Sequence, residues 1–194
     1  MNFSTREIVL AGVFAALACC VAIVFRFVQP VLVPFSLLPM VFLLAGGVLP
    51  PRAAAASMLG YALLGLAGLP VLAAPPFGGV IYIFKPTFGF ILGYAAGAWT
   101  VSMVIRRLGR SFPIYLAACT AGIIVLYLIG LPYLYIILRF YLGQTVDIMR
   151  VLQIGFLPFI GLDLAKAFLS SVILVKIPVN RFLSGHSGSH SRTL

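Results

Sequence analysis

Charged side chains are scarce in this sequence, and acidic ones are nearly missing. Asp, Glu, Lys and Arg make up 8% of its 194 residues, against roughly a quarter in soluble domains. Three residues are acidic: Glu7, Asp147 and Asp163. Intramembrane enzymes need clustered carboxylates for divalent metals, an Asp pair, or a Ser–His dyad. Because Asp163 is the one acid inside a long apolar segment, the sequence argues against an enzyme.

Motifs for nucleotide and metal chemistry are also missing. No G-x-x-x-x-G-K-[ST] phosphate loop occurs, so hydrolysis of ATP would have to come from partner subunits. Cys19, Cys20 and Cys119 fit the spacing of neither a metal site nor a disulfide framework, and we interpret them as small packing residues. His186 and His190 lie in a polar tail without helical pattern. We therefore predict no metal site and no cofactor.

Apolar residues dominate instead, at 63% of the chain, with a mean hydropathy of +1.19. A helix crosses a bilayer core about 30 Å thick with roughly 20 apolar residues. The apolar runs occupy 5–28, 31–49, 53–69, 87–105, 113–138 and 151–175. We predict an all-α polytopic membrane protein, a compact bundle of six transmembrane helices within residues 1–178, and a disordered cytoplasmic tail over 179–194.

The basic residues predict how this bundle is oriented. The net charge of +10 comes from Lys and Arg placed singly or in short groups between apolar runs, a pattern typical of membrane topology and not of nucleic-acid binding. Eight of them fall on the side of the two termini and four on the opposite side. The positive-inside rule then makes both termini cytoplasmic in a cytoplasmic (inner) membrane. The Pro- and Gly-rich segment 70–86 would lie outside, where an incoming solute meets it first.

The sixth apolar run carries an acid and a base about halfway along it. Asp163 and Lys166 are three residues apart, so a helix presents both on one face. A charge in hydrocarbon is costly, and such groups usually face a cavity, a partner or a ligand. One interpretation is an ion pair that holds helices together. The other is a polar site that offers an acceptor and a donor side by side, and the spacing leaves both open.

Several segments match a known family. They are GLAGLPV at 65–71, GG at 78–79, PTFGF at 86–90, VPFS at 33–36, LLAG at 43–46 and PFIGLDLAKA at 158–167. Together they resemble the BioY family, the biotin-binding (S) components of energy-coupling factor (ECF) transporters. The last segment is similar to that family's D-x-x-K-A helix. Lys85 stands where the family has glycine before Pro-Thr.

The resemblance implies a biotin-uptake subunit whose site includes the Asp163–Lys166 pair. Biotin's urea has two N–H donors and one carbonyl acceptor. An ionised carboxylate can accept from the N–H groups, and an ammonium can donate to the carbonyl. From the loop, the resemblance adds Gly78, Gly79 and Tyr82 as ligand contacts. Lys85 is our candidate partner for the ligand carboxylate, and the alternative is that it extends to the membrane interface.

Small residues predict two close helix contacts. Gly89, Gly93 and Gly97 repeat every four residues, a pattern that brings helix backbones together, and we expect packing within the bundle more than dimerisation. Ala11 and Ala15 form a similar patch on the first run. The resemblance implies that this patch docks the transmembrane coupling subunit, while spacing alone equally allows ordinary packing inside the bundle.

The expected partners are biotin, the ECF coupling and ATPase subunits, and membrane lipid, without nucleic acid. Three alternatives to the biotin S component remain at this point: an S component for another vitamin such as riboflavin or thiamine, a solitary biotin facilitator, and an intramembrane enzyme. The Asp–Lys pair and the GLAGLPV block argue against another vitamin. The sequence does not say whether transport needs the ATPase module.

Overall fold

The structure, a computed structural model, describes residues 3–28 and 36–177. The predicted tail at 179–194 and most of the VPFS segment lie outside the described residues. Seven α-helices follow in order: α1 Thr5–Val28, α2 Leu38–Val48, α3 Pro51–Leu66, α4 Phe88–Leu108, α5 Phe112–Ile136, α6 Ile148–Gly155 and α7 Leu157–Lys176. A 3-10 helix, Val80–Phe84, lies between α3 and α4, and a π-helical turn, Ile137–Tyr141, continues α5.

The described part of the chain is all-helical and contains no strand, as predicted. Four of its helical segments are long and apolar enough to cross a membrane: Thr5–Phe27, Phe88–Leu108, Phe112–Tyr141 and Leu157–Lys176. The helix α2 is apolar but has only 11 residues, and α3 has 16. The large apolar side chains exposed along α1, such as Val13 and Val24 at more than half of their surface, are those of a helix that faces hydrocarbon.

The sixth apolar run forms two helices where the sequence predicts one. A break at Phe156, with backbone angles of −124° and −60°, separates α6 from α7. Pro158 follows within the first turn of α7, where its missing N–H is one that the helix would leave unpaired anyway. Asp163 and Lys166 therefore lie in the second and third turns of α7, near the end that begins at the break.

The glycine repeat of α4 lies against α5, so the predicted packing inside the bundle is confirmed. A Cβ atom added at Gly93 would be 2.9 Å from the carbonyl oxygen of Leu126, and one added at Gly97 would be 2.9 Å from that of Gly122. Backbone at that distance leaves no room for a larger side chain. The helix α4 also packs against α2 and α3, and α7 packs against α2, α5 and α6.

The segment between α3 and α4 folds back onto the end of α3. The amide of Gly79 donates to the carbonyl of Gly65 at 2.7 Å, and the amide of Leu72 donates to that of Phe77 at 2.8 Å. Gly79 has a φ of +93°, which favours glycine. An added Cβ at Gly78 would collide with the carbonyl of Leu69. These two glycines let the loop close on α3.

Candidate ligand-binding site

A cavity of about 380 Å³ lies between the helices, beneath the loop that joins α3 to α4. Residues of α2 to α7 line it, together with Ala73 and Ala74 of the loop. Its volume is within the range of small-molecule sites, which are mostly apolar with a few placed polar groups. Aromatic side chains supply much of the wall: Tyr61, Tyr82, Phe90, Tyr94, Tyr127 and Phe159.

One polar group in this cavity joins three side chains from two helices. The ammonium of Lys166 donates to Oδ1 of Asp163 at 2.8 Å, within α7. The hydroxyl of Tyr127, on α5, donates to Oδ2 of the same carboxylate at 2.6 Å. Asp163 and Lys166 are buried, with 4% and 6% of their surface exposed. Each carboxylate oxygen thus has one donor, and the pair of charges sums to zero.

Packing holds the Tyr127 ring in position for this bond. Phe156 meets it edge-on with ring centres 4.9 Å apart, and Phe90 meets it edge-on at 6.2 Å. Phe156 is the residue at the break between α6 and α7. The break therefore contributes to the site, because it supplies an aromatic wall for the tyrosine that contacts Asp163.

Sequence reasoning missed Tyr127. Asp163 lies 36 residues from it along the chain, and a tyrosine in a long apolar run has no spacing that marks it as a polar contact. It also missed Tyr61, a cavity-lining tyrosine on α3 whose buried hydroxyl has no hydrogen-bond partner among the described residues.

Of the loop residues predicted to contact ligand, Tyr82 lines the cavity, and its hydroxyl is 3.4 Å from Oγ1 of Thr87. Burial raises the pKa of the Tyr82 hydroxyl. Lys85 is exposed and is not among the cavity-lining residues, and neither are Gly78 and Gly79. Ligand contact by any of these residues stays a prediction.

Arg26, near the end of α1, holds the loop that covers the cavity. Its guanidinium donates to the carbonyl of Pro70, and to that of Leu72 at 3.1 Å. Its central carbon lies 3.9 Å from the centre of the Phe77 ring, a cation–π contact. In the sequence, Arg26 is only one of the four basic residues on the side opposite the termini. In the structure it ties α1 to the loop segment that carries Ala73.

The comparisons with known proteins agree with this architecture. The BioY family model matches residues 1–182. The chain belongs to the BioY family. This confirms the family that the motifs indicate. The probable biotin transporter BioY of Lysinibacillus sphaericus is 33% identical over 90% of this chain and 87% of its own length. The biotin transporter BioY of Thermotoga maritima is 31% identical over 89% of this chain and 95% of its own length.

A solved structure has the same fold as this BioY chain. It is the crystal structure of the S-component for biotin from an ECF-type ABC transporter, with a TM-score of 0.70 over 90% of this chain and 93% of that one. The two sequences are 20% identical, so the likeness concerns the arrangement of the helices.

The small-residue patch of α1 divides between two faces. Ala15 is buried, and a Cβ added at Gly60 of α3 would be 3.6 Å from its Cβ. Ala11 is half-buried, whereas Gly12 and Ala16 are exposed. Docking of a coupling subunit at Ala11 and Ala15 stays a prediction, and Ala15 already packs inside the bundle.

Proposed function

We propose that this BioY chain is the substrate-binding (S) component of an ECF transporter and takes up biotin across the membrane. The observation that carries the proposal is the buried carboxylate–ammonium pair of Asp163 and Lys166 on the wall of a mostly apolar cavity. The names of its relatives, all of them biotin transporters, support the same solute.

The chemistry of the pair suits a urea. An ionised carboxylate has about four acceptor positions, and Lys166 and Tyr127 occupy two of those on Asp163. The remaining positions would accept the two urea N–H groups, and the Lys166 ammonium would donate to the urea carbonyl. The thiophane ring and the valeryl chain of biotin would lie among the apolar side chains of the cavity, where burial of their apolar surface is favourable.

Six crossings with both termini in the cytoplasm are the topology that we propose for the bundle. Along the chain, α1, α2, α3, α4, α5 and α7 would alternate in direction, and the loop over the cavity would face outward. The excess of basic residues on the side of the termini supports this orientation. Biotin would then enter from outside, through the loop that Arg26 holds.

Partner subunits would couple transport by this chain to ATP hydrolysis. The sequence has no phosphate loop of its own, so energy-driven uptake requires ATPase subunits and a membrane subunit that connects them to this chain. The exposed face of α1, with Gly12 and Ala16, supports close approach by a helix of that subunit.

Isothermal titration of biotin into the purified, monodisperse protein tests the proposal. We expect stoichiometric binding of biotin and weak binding of thiamine and riboflavin, neither of which has a cyclic urea with two N–H donors. Tyr115→Phe is the matched control, because Tyr115 is a buried tyrosine outside the cavity lining and its removal should leave affinity unchanged. Folded protein that does not bind biotin would refute the proposal.

A further inference from the structure

The carboxylate of Asp163 is not oriented by its own helix alone. Lys166, three residues further along α7, donates to Oδ1 at 2.8 Å. The terminal torsion of an aspartate side chain has a broad, roughly two-fold distribution, and a lysine ammonium sits on a flexible four-carbon stem. The bond from Lys166 therefore pairs the two charges without fixing the plane of the carboxylate.

A second donor, from a different helix, bonds the other oxygen. The hydroxyl of Tyr127, on α5, donates to Oδ2 of Asp163 at 2.6 Å, a length typical of hydroxyl–carboxylate bonds. Two bonds, one on each oxygen, with donors from α5 and α7, define a plane for the carboxylate. A tyrosine suits this task, because two side-chain torsions determine where its hydroxyl lies.

Two aromatic rings hold Tyr127 itself. Its side chain is buried, and Phe156 and Phe90 meet its ring edge-on, with interplanar angles of 78° and 87°. Phe90 lies over Gly130, one turn further along α5, where an added Cβ would be 2.5 Å from the Phe90 ring. Edge-on pairs stabilise beyond the burial of their surface. The packing therefore confines the Tyr127 ring, and with it the hydroxyl that bonds Asp163.

An oriented carboxylate matters for the recognition of a cyclic urea. The carbonyl and the neighbouring N–H of such a ring lie side by side in one plane, so they need an acceptor and a donor at fixed angles. Asp163 and Lys166 both line the cavity. Hydrogen bonds weaken steeply when donor and acceptor lose their alignment, so a carboxylate that turned freely would bind the urea poorly.

We propose that Tyr127 is the positioning residue of this site: its hydroxyl sets the plane of the Asp163 carboxylate, so that the carboxylate accepts from the urea while Lys166 donates to the urea carbonyl. Tyr127 acts through Asp163 and not by a bond of its own to the solute. This inference rests on the proposed function and deepens it, because it identifies the group that makes the ion pair directional.

The test is a double-mutant cycle of Tyr127→Phe and Asp163→Ala. Tyr127→Phe removes the hydroxyl and keeps the ring between Phe156 and Phe90. In the parent background we expect it to lower the affinity for biotin about tenfold, equivalent to about 1.4 kcal/mol. In the Asp163→Ala background, where no carboxylate remains to be positioned, it should change the affinity less than about twofold. Equilibrium binding of radiolabelled biotin to the four purified proteins is the measurement.

Phe156→Leu tests the same bond without removing the hydroxyl, and it decides the matter if Tyr127→Phe does not fold. Phe156 is not among the cavity-lining residues, so its ring affects the solute only through Tyr127. Biotin affinity should fall about threefold in the parent background and stay unchanged in the Asp163→Ala background. Tyr115→Phe, at a buried tyrosine of α5 outside the cavity lining, is the control and should leave affinity unchanged in both.

The outcomes separate this inference from the proposed function. Folded parent protein that does not bind biotin refutes the proposed function. If the parent binds biotin and Tyr127→Phe binds it equally well, the positioning role alone is overturned. Equal losses in the two backgrounds also overturn that role, because Tyr127 would then contact the solute directly or simply stabilise the bundle. Asp163→Ala that binds biotin like the parent overturns it too, since Tyr127 would have no group to act through.

Discussion

Asp163 is held by donors from two helices, and these bonds fix the position of its carboxylate. Lys166 contributes a positive charge from the next turn of α7, and Tyr127 contributes a hydroxyl from α5. Removing one member of a buried ion pair leaves the other charge uncompensated, at about 3–5 kcal/mol. The charges therefore support each other, and a test must distinguish their structural effect from their contact with the ligand.

Three variants make that distinction. Asp163→Asn and Lys166→Met should each lower thermal stability and reduce biotin affinity at least about tenfold, or roughly 1.4 kcal/mol. The double variant, which leaves no uncompensated charge, should recover stability and still fail to bind. Melting temperature and titration of biotin on all three proteins are the measurements.

A double variant that binds biotin like the parent would contradict this expectation. It would show that the pair joins α7 to its surroundings and takes no part in recognition. Tyr115→Phe again serves as the control for a buried polar change away from the cavity.

The predictability of the site differed from residue to residue. Asp163 and Lys166 could be found because charged side chains are rare and costly in an apolar run, and two of opposite sign three residues apart mark a polar site or an ion pair. Tyr127 could not, because its hydroxyl contacts Asp163 only when α5 and α7 come together. The hydroxyl is a small polar part of a large apolar side chain, so composition treats this tyrosine as an ordinary core residue.

At the scale of elements, the loop between α3 and α4 depends on a contact from outside itself. Arg26 reaches it from α1 and bonds the carbonyls of Pro70 and Leu72, while the bonds inside the loop involve the amides of Leu72 and Phe77. The loop brings Ala73 to the cavity. The order of the loop, and with it the closure of the cavity, therefore depends on the guanidinium of Arg26.

Arg26→Met should loosen this loop without unfolding the bundle. We expect the amides of Leu72 and Phe77 to exchange about tenfold faster with deuterium, equivalent to about 1.4 kcal/mol of local stability. Amides of α4 and α5 should be unaffected. Arg139→Met, a change at an exposed arginine in the π-helical turn, is the matched control, and equal exchange in the two variants would contradict the role of Arg26.

Helix ends were predictable where an apolar run stopped at residues that end helices. The first run, 5–28, has the bounds of α1. The sixth was wrong as a single helix, although Pro158 was a visible sign of a break. Apolar composition continued across the break, and hydropathy does not register a change in backbone direction. The buried face of α1 was equally hidden, because a helix that is apolar on every side has no polar stripe to orient it.

At the scale of the whole molecule, the two faces of α1 separate internal packing from assembly. Ala15 lies against α3, so Ala15→Leu should overpack that contact and cost about 1–3 kcal/mol of stability. Ala16 is exposed. Ala16→Leu should leave stability and biotin affinity unchanged and weaken the recovery of the coupling subunit in a pull-down several-fold.

The two substitutions control for each other, since each adds the same side chain one residue apart. One result would contradict docking on the exposed face of α1. In it, Ala15→Leu keeps normal stability and loses the coupling subunit, while Ala16→Leu recovers that subunit normally. Most helices of the bundle were predictable from the apolar runs, whereas the choice of face on α1 depended on its packing against Gly60 of α3.

The ion pair of Asp163 and Lys166 determines how strongly a membrane potential acts on this wall of the cavity. Moving one elementary charge through 100 mV involves about 2.3 kcal/mol of electrical work, but a pair with its charges 2.8 Å apart has no net charge to move. The voltage across the membrane therefore does almost no work on this wall of the site, whichever side the cavity faces. Voltage dependence of uptake would report the charge of the solute's carboxylate.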